Sequence, residues 1–218
     1  MRMKHCLDEI LGRRSKVALI RYLVQSRRET TGRDLARSVG LDHKACLASL
    51  KELHRERIVF GRVVGRAWFF RLNADFPLVR DVLIPMFDWE RGLMERMAAD
   101  IRKALGPDAL SIWLFGSTAK GTDHVRSDVD ILVVAPDKSD IPRLEDKSDE
   151  NADDLIKKYA RVPMHIFMDV KEFRSRYLKR DHFLTEVVRP GALLHGLRVE
   201  ELLKYGRPKD RRRRGSPG

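Results

Sequence analysis

The sequence predicts an α+β protein with two folded domains, and three observations lead to this fold class. The first part of the chain shows helical periodicity followed by two β-prone runs, whereas the second part alternates buried strand-like runs with helices. Charge divides the chain as well: residues 1–75 hold 17 Lys and Arg against 8 acidic residues, residues 76–206 hold 21 against 23, and residues 207–218 hold 6 against 1. We therefore predict a basic domain at 1–75, a helical connector at 76–106, a second domain at 107–206 and a disordered basic tail at 207–218.

Composition excludes several classes of protein. With 43% apolar residues, the chain can bury a core, which excludes a fully disordered protein. The longest apolar runs, such as 131–136, are far shorter than the ~20 residues of a membrane helix. Asp8 and Glu9 lie where a secretory signal would need an apolar stretch. Cys6 and Cys46 are too few for a disulfide framework or a zinc site. We expect a cytoplasmic protein with reduced cysteines and no membrane contact.

The basic domain begins with three predicted helices. Apolar residues recur at helical spacing from Leu7 to Val24, which predicts one amphipathic helix. Thr31 provides a capping oxygen for a short helix over 32–38 that ends at Gly40. Asp42 caps the next helix, which carries a buried apolar stripe. The last two helices are therefore joined by a tight turn that contains glycine.

A hairpin follows these helices. The β-prone runs 58–60 and 67–72 bracket the turn Gly61–Arg66. Three helices followed by a hairpin describe a winged helix-turn-helix, and the pattern resembles the winged helices of small bacterial and archaeal transcription regulators. That resemblance implies DNA as a partner, with the second helix of the motif in the major groove and the wing on the backbone. The residues that it places on DNA are His43, Lys44, Ala45, Leu47, Ala48, Lys51, Arg62 and Arg66.

Few of these side chains can read bases. His43 and Lys44 can hydrogen-bond a base or a phosphate, whereas the alanines and Leu47 offer only apolar contact. Phosphate binding is therefore the firmer expectation. The alternative is a domain used for protein docking or dimerisation, and a homodimer is expected by analogy with such regulators.

The second domain carries a strand, a turn and a pair of carboxylates. A buried strand over 109–115 is followed by Gly116 and Ser117, where a phosphate can approach the backbone and meet a hydroxyl. Asp128 and Asp130, two apart on a predicted strand, would point to one face and hold one or two Mg²⁺ ions beside that phosphate. A nucleoside triphosphate is the ligand that brings phosphate and metal together.

This segment closely resembles the minimal nucleotidyltransferases of the polymerase-beta-like superfamily. The matching residues are Gly116, Ser117, Lys120, Gly121, Ser127, Asp128 and Asp130, followed by an apolar strand at 131–134. The resemblance implies an α/β domain with a small mixed sheet, which transfers a nucleoside monophosphate from an NTP to an acceptor hydroxyl with Mg²⁺. Lys120 would pair with a phosphate, although an ordinary exposed lysine fits equally well.

Active relatives carry a third carboxylate on a later strand. The matching run here is 162–168, and the aligned position holds His165. Histidine is a poor Mg²⁺ ligand, although it can act as a base. Three readings stay open: His165 replaces the carboxylate, the pocket binds nucleotide without turnover, or the register of the alignment differs.

Two other functions remain alongside the enzyme. One is a non-catalytic regulator in which nucleotide binding to the second domain changes DNA affinity, and the other is an antitoxin-like protein that modifies or masks a protein partner.

Between the two strands of the second domain, residues 137–154 are rich in Asp, Lys and Ser, which predicts a loop leading into a helix at 152–160.

Overall fold

The computed structural model describes residues 5–122 and 127–206, and the chain forms two compact units, Met1–Leu93 and Met94–Gly218. Each unit has its own hydrophobic core. The predicted basic tail at 207–218 lies outside the described residues. Within the described ranges, no helix has both the length and the apolar character needed to cross a lipid bilayer.

The first unit consists of helices around a small antiparallel sheet. Its elements are α1 (Cys6–Leu11), α2 (Arg14–Ser26), β1 (Thr30–Thr31), α3 (Gly32–Val39), α4 (His43–Arg55), β2 (Val59–Val64), β3 (Ala67–Leu72), a π-helical segment (Leu78–Leu83) and α5 (Ile84–Arg91). The strands are ordered β1, β3, β2. The order of α2, α3, α4 and the β2–β3 hairpin is that of a winged helix-turn-helix, as predicted.

Local sequence signals explain the start of the two motif helices. The Thr31 hydroxyl accepts a hydrogen bond from the Asp34 backbone N–H at 3.2 Å. The Asp42 carboxylate accepts from the N–H groups of Lys44 and Ala45 at 2.9 and 3.1 Å. Each cap satisfies amides that have no partner inside the helix. Both predicted caps are therefore confirmed.

Two details of the first unit differ from the prediction. The single helix predicted from Leu7 to Val24 is two helices, because Arg13 between them has an extended backbone, with φ of −118° and ψ of 124°. The wing is also longer than predicted, since β2 runs through Val64 and only two residues remain for the turn. Arg62 therefore lies in a strand, and Arg66 lies in the turn.

The second unit is a four-stranded mixed sheet with helices on both faces. Its elements are α6 (Leu93–Leu105), β4 (Ser111–Phe115), α7 (Gly116–Lys120), β5 (Val129–Ala135), a 3₁₀ turn (Lys138–Asp140), α8 (Ile141–Tyr159), β6 (Pro163–Asp169), α9 (Val170–Leu178), α10 (His182–Val188), β7 (Ala192–Gly196) and α11 (Val199–Leu202). The strand order is β6, β5, β4, β7, with β5 and β6 parallel and the other pairs antiparallel. The predicted small mixed sheet is confirmed.

Alternating residues of β5 separate two cores. Ile131 and Val133 pack on one face with α6 and α8, whereas Leu132 and Val134 pack on the other face with α9, α10 and α11. This alternation follows from the period of two in a strand. It decides which face each site residue occupies.

Two further predictions need correction. The helices of 76–106 do not form a separate connector: Val79 and Phe87 belong to the core of the first unit, and Met97 and Ile101 belong to a core of the second. The predicted loop over 137–154 is mostly helix α8. Pro142 lies in the first turn of α8. Most residues of α8 are polar, but Leu144 and Leu155 are buried and form its apolar side.

Candidate functional site

The candidate site begins where β4 ends. Phe115, the last residue of β4, pairs in register with Asp130 of β5. The next residue, Gly116, has φ of +72°, a conformation that side chains rarely adopt. A Cβ on Gly116 would overlap the Asp130 carboxylate oxygen Oδ2. Glycine at this position therefore lets the chain turn directly against the carboxylate.

The two aspartates lie close together, although not both on the strand. Strand β5 starts at Val129, so Asp128 precedes it and is exposed, whereas Asp130 is half-buried. Burial, followed by the negative charge of Asp128, raises the pKa of the Asp130 carboxyl above its ordinary value. A cation between the two carboxylates would relieve both effects.

The donors fit a magnesium ion. Mg²⁺ prefers oxygen ligands, retains several waters and is usually held by one or two protein carboxylates together with substrate phosphates. Asp128 and Asp130 meet that description. Within residues 5–122 and 127–206, no group of three or more His, Cys, Asp or Glu side chains is arranged to hold a metal. The described residues therefore do not form a metal site in which protein side chains supply three or more ligands.

Ser117 and Lys120 lie on α7, the helix that begins at Gly116. Ser117 is the second residue of this helix and is half-buried. The Lys120 ammonium is 3.7 Å from the Glu186 carboxylate, and both side chains are largely exposed. Such a pair contributes little to stability. The predicted contact between Lys120 and a phosphate stays a prediction.

His165 does not face the carboxylate pair, which corrects its predicted placement. In the parallel β5–β6 pair, His165 is in register with Ile131, whereas Asp130 is in register with Met164. Side chains in register share a face and successive ones alternate, so His165 lies on the other side of the sheet from Asp130. Its Nδ1 is 2.7 Å from the Ser148 hydroxyl of α8.

Burial also determines the protonation of His165. It lowers the pKa of this imidazole to about 4, so the ring is neutral near pH 7. The ring stacks on Phe167 with centroids 5.7 Å apart. These contacts describe a packed side chain, and of the three open readings they favour a different alignment register.

Strand β6 presents apolar side chains on the Asp130 face. Met164 is 51% exposed and Ile166 is 38% exposed. The sequence reasoning missed both residues, although the alternation of 162–168 was the available signal. The β6 residues on the Asp130 face are Met164, Ile166 and Met168, and none of them is acidic. Asp169 is buried and caps α9 by accepting from the Glu172 N–H at 2.7 Å.

Most predicted DNA-facing residues are exposed. His43, Lys44, Ala48 and Lys51 form one exposed side of α4. The Lys51 ammonium lies 5.8 Å from the centroid of the Trp68 ring in the hairpin. Arg66, in the wing turn, is also exposed. Their side chains are available to a polyanion, while the DNA contact itself stays a prediction.

Arg62 differs from the other predicted DNA contacts. Its guanidinium forms a bidentate ion pair with the Glu29 carboxylate, in which Nε donates to Oε1 at 2.7 Å. The guanidinium also lies 5.7 Å from the centroid of the Phe69 ring. The pair lowers the pKa of the Glu29 carboxyl. Since 33 positions separate these residues, no local sequence pattern predicts the pair. A phosphate contact by Arg62 would have to compete with Glu29.

A family model identifies the second unit. Residues 95–186 match the model described as a nucleotidyltransferase domain. Over these residues the second unit is similar to nucleotidyltransferase domains. The match runs from α6 to α10, so the Gly-Ser turn, both aspartates and His165 lie within it. No curated protein matches the chain.

Several solved structures show a resemblance to parts of the chain. The AntR antimony-specific transcriptional repressor is 23% identical, with 41% of this chain and 75% of that chain covered and a TM-score of 0.34. The homodimeric winged helix-turn-helix domain of a possible ArsR-family regulator from Mycobacterium bovis is 15% identical, with 44% and 90% covered and a TM-score of 0.31. A toxin-antitoxin complex with AMP-PNP is 24% identical, with 50% and 78% covered and a TM-score of 0.33.

The contact between Gly116 and Asp130 can be tested with a matched pair of variants. Gly116→Ala should lower Mn²⁺ affinity roughly tenfold, because the new methyl group displaces the Asp130 carboxylate. Gly121→Ala is the control, since Gly121 has φ of +66° and its Cβ would meet no described atom within 4 Å. Mn²⁺ binding can be measured by electron paramagnetic resonance. Equal losses in both variants would attribute the effect to backbone strain alone.

The half-buried His165 predicts a pH dependence of stability. Because its pKa falls from 6.5 to about 4 on folding, the stabilisation is complete above pH 6.5 and is lost as the pH falls toward 4. Compared with His165→Gln, the wild type should lose about 1–2 kcal/mol more between pH 7 and pH 5. Urea unfolding followed by hydrogen exchange of β5 and β6 peptides measures this. Parallel pH profiles would contradict the assignment.

Proposed function

We propose that the second unit transfers a nucleoside monophosphate from a nucleoside triphosphate to an acceptor hydroxyl, with Mg²⁺, in a protein that the first unit directs to DNA. The single observation behind this proposal is the position of the Asp130 carboxylate. It lies against the Gly116 backbone, and its pKa is raised by burial and by Asp128. A phosphate and a divalent cation can therefore be held side by side.

The residues of the site have separate roles in this proposal. Asp128 and Asp130 would hold Mg²⁺. Gly116 leaves room for the Asp130 carboxylate and would bring its own backbone to the triphosphate, while Ser117 would donate its hydroxyl to a phosphate oxygen. When bound, Mg²⁺ supplies positive charge that stabilises the attacked phosphate and its leaving group. Catalysis would then depend on positioning and electrostatics, without a covalent enzyme intermediate.

The DNA-binding part of the proposal is supported by the exposed cations of the first unit. Lys44 and Lys51 lie on α4, and Arg66 lies at the tip of the wing. Phosphate contacts of this kind bind DNA without strong dependence on sequence, and their affinity falls with salt. Homodimer formation and a protein acceptor stay predictions.

A second candidate function is nucleotide sensing without transfer. It is favoured by Met164, which occupies the position in register with Asp130 and has no oxygen ligand to offer. Without a third carboxylate, deprotonation of the acceptor hydroxyl would have no protein base on the Asp130 face of β6. The site would then bind Mg²⁺ and nucleotide, and occupancy would alter the affinity of the first unit for DNA.

One experiment separates the two functions. Purified protein is incubated with Mg²⁺, a labelled triphosphate and cell extract as the source of acceptor, and pyrophosphate release is measured. Transfer predicts release that Asp130→Asn reduces by roughly 100-fold. Sensing predicts no release from the wild type, with nucleotide affinity that depends on Mg²⁺ and on Asp130.

A gain-of-function variant sharpens this experiment. Met164→Asp adds a carboxylate in register with Asp130, whereas Met164→Leu keeps an apolar residue there and serves as the control. Under the sensing function, Met164→Asp should tighten Mg²⁺ binding, since a further oxygen ligand faces the pair. Nucleotide binding that is unchanged by Mg²⁺ and by Asp130→Asn would reject both functions.

The ion pair of Arg62 predicts the direction of a charge change in the wing. Glu29→Gln removes the carboxylate that competes for Arg62, so DNA affinity should rise about threefold at low salt. The slope of log affinity against log salt concentration should steepen by the amount expected for about one further phosphate contact. Glu95→Gln, which changes the same charge in the second unit, is the control. A fluorescence titration with duplex DNA at several salt concentrations measures both quantities. Weaker binding by Glu29→Gln would show instead that Glu29 positions Arg62.

A further inference from the structure

The backbone at Asp128 lies outside the sheet. Strand β5 begins at Val129, whose N–H donates to the Val162 carbonyl at 2.9 Å. The Asp128 carboxylate is exposed, so its direction depends on the backbone that carries it. A metal site built on Asp128 and Asp130 therefore needs contacts that fix residues 127 and 128.

One such contact comes from α7. Thr118 is buried, and its hydroxyl donates a hydrogen bond to the Asp128 carbonyl at 3.1 Å. Thr118 directly follows Ser117 on a helix whose first residue, Gly116, lies against Asp130. The same short helix thus contacts both aspartates: Gly116 approaches the side chain of one, and Thr118 holds the main chain of the other.

A second contact comes from the start of the β6 segment. The Arg161 guanidinium donates to the Ser127 carbonyl at 3.1 Å. Arg161 follows Ala160, which ends α8 in the left-handed conformation with φ of 52°. The segment before β5 is therefore held from two sides, by α7 through Thr118 and by the residue after α8 through Arg161.

We propose that Thr118 is a positioning residue, which sets Asp128 relative to Asp130 by holding the Asp128 carbonyl, and that Arg161 supports the same segment through Ser127. This inference rests on the proposed function, because it concerns the metal site of that function. Thr118 touches no reacting atom, so its loss acts through Asp128. Partners that orient metal ligands commonly change metal affinity by 10–100-fold when removed.

The test compares two substitutions at one position. Thr118→Val keeps the shape of the side chain and removes the hydroxyl, whereas Thr118→Ser keeps the hydroxyl. Mn²⁺ affinity is measured by electron paramagnetic resonance, ATP affinity is measured in EDTA without metal, and thermal unfolding reports on folding. We expect Thr118→Val to weaken Mn²⁺ binding roughly tenfold with metal-free ATP affinity unchanged, and Thr118→Ser to retain Mn²⁺ affinity within about twofold.

A second variant, at Arg161, tests the same proposal if Thr118→Val unfolds the second unit. Arg161→Met retains the aliphatic stem and removes the donor to Ser127, and it should also weaken Mn²⁺ binding while leaving metal-free ATP affinity unchanged. If the wild type binds Mn²⁺ and folded Thr118→Val or Arg161→Met binds it equally well, the positioning role is wrong and the proposed function stands. If the wild type itself binds no Mn²⁺, the proposed function fails, and the positioning role fails with it.

Discussion

The close approach of Gly116 to the Asp130 carboxylate is the constraint on which the second unit's site depends. The last residue of β4, Phe115, is in register with Asp130, and the chain leaves the sheet at the next residue, Gly116. At Gly116 the Asp130 carboxylate occupies the space that a side chain would need. Only glycine satisfies both the positive φ and the missing Cβ. The result is a backbone surface in contact with a half-buried carboxylate. This arrangement disfavours an isolated negative charge on Asp130, so a cation bound there would be stabilised.

The sheet then determines which other residues can take part. Along β6, Met164 and Ile166 lie on the face of Asp130, while His165 and Phe167 lie on the face of α8. The face with His165 is packed, and the face with Met164 is exposed. Under the proposed function, chemistry on the open face would therefore rely on the two aspartates and on the substrate's own phosphates.

The sequence predicted features that depend on contacts between neighbouring residues, such as helix caps. It did not predict features that depend on packing between residues far apart in the chain. The caps at Thr31 and Asp42 each involve residues two or three positions apart, which a sequence pattern can show. Placing His165 required the strand register, because a shift by one residue moves a side chain to the opposite face. The end of helix α8 was predicted as the helix at 152–160, but its first part was taken for a loop because that stretch is mostly polar and only the buried leucines on one side reveal its packing.

Net charge alone overstates the positive surface of the first unit. Several of its cations are paired. The buried Lys16 ammonium lies 3.1 Å from Glu52 of α4 and 2.9 Å from Glu56, the residue after α4, and Arg62 is paired with Glu29. These pairs stabilise the position of α4 and of the wing, but they add little field outside the protein. In the part of the chain that the structure describes, no ion pair involves Lys44 or Arg66, and both are exposed. A polyanion would therefore meet a small number of free cations at the start of α4 and the wing tip, and its affinity would depend on those positions more than on the total charge.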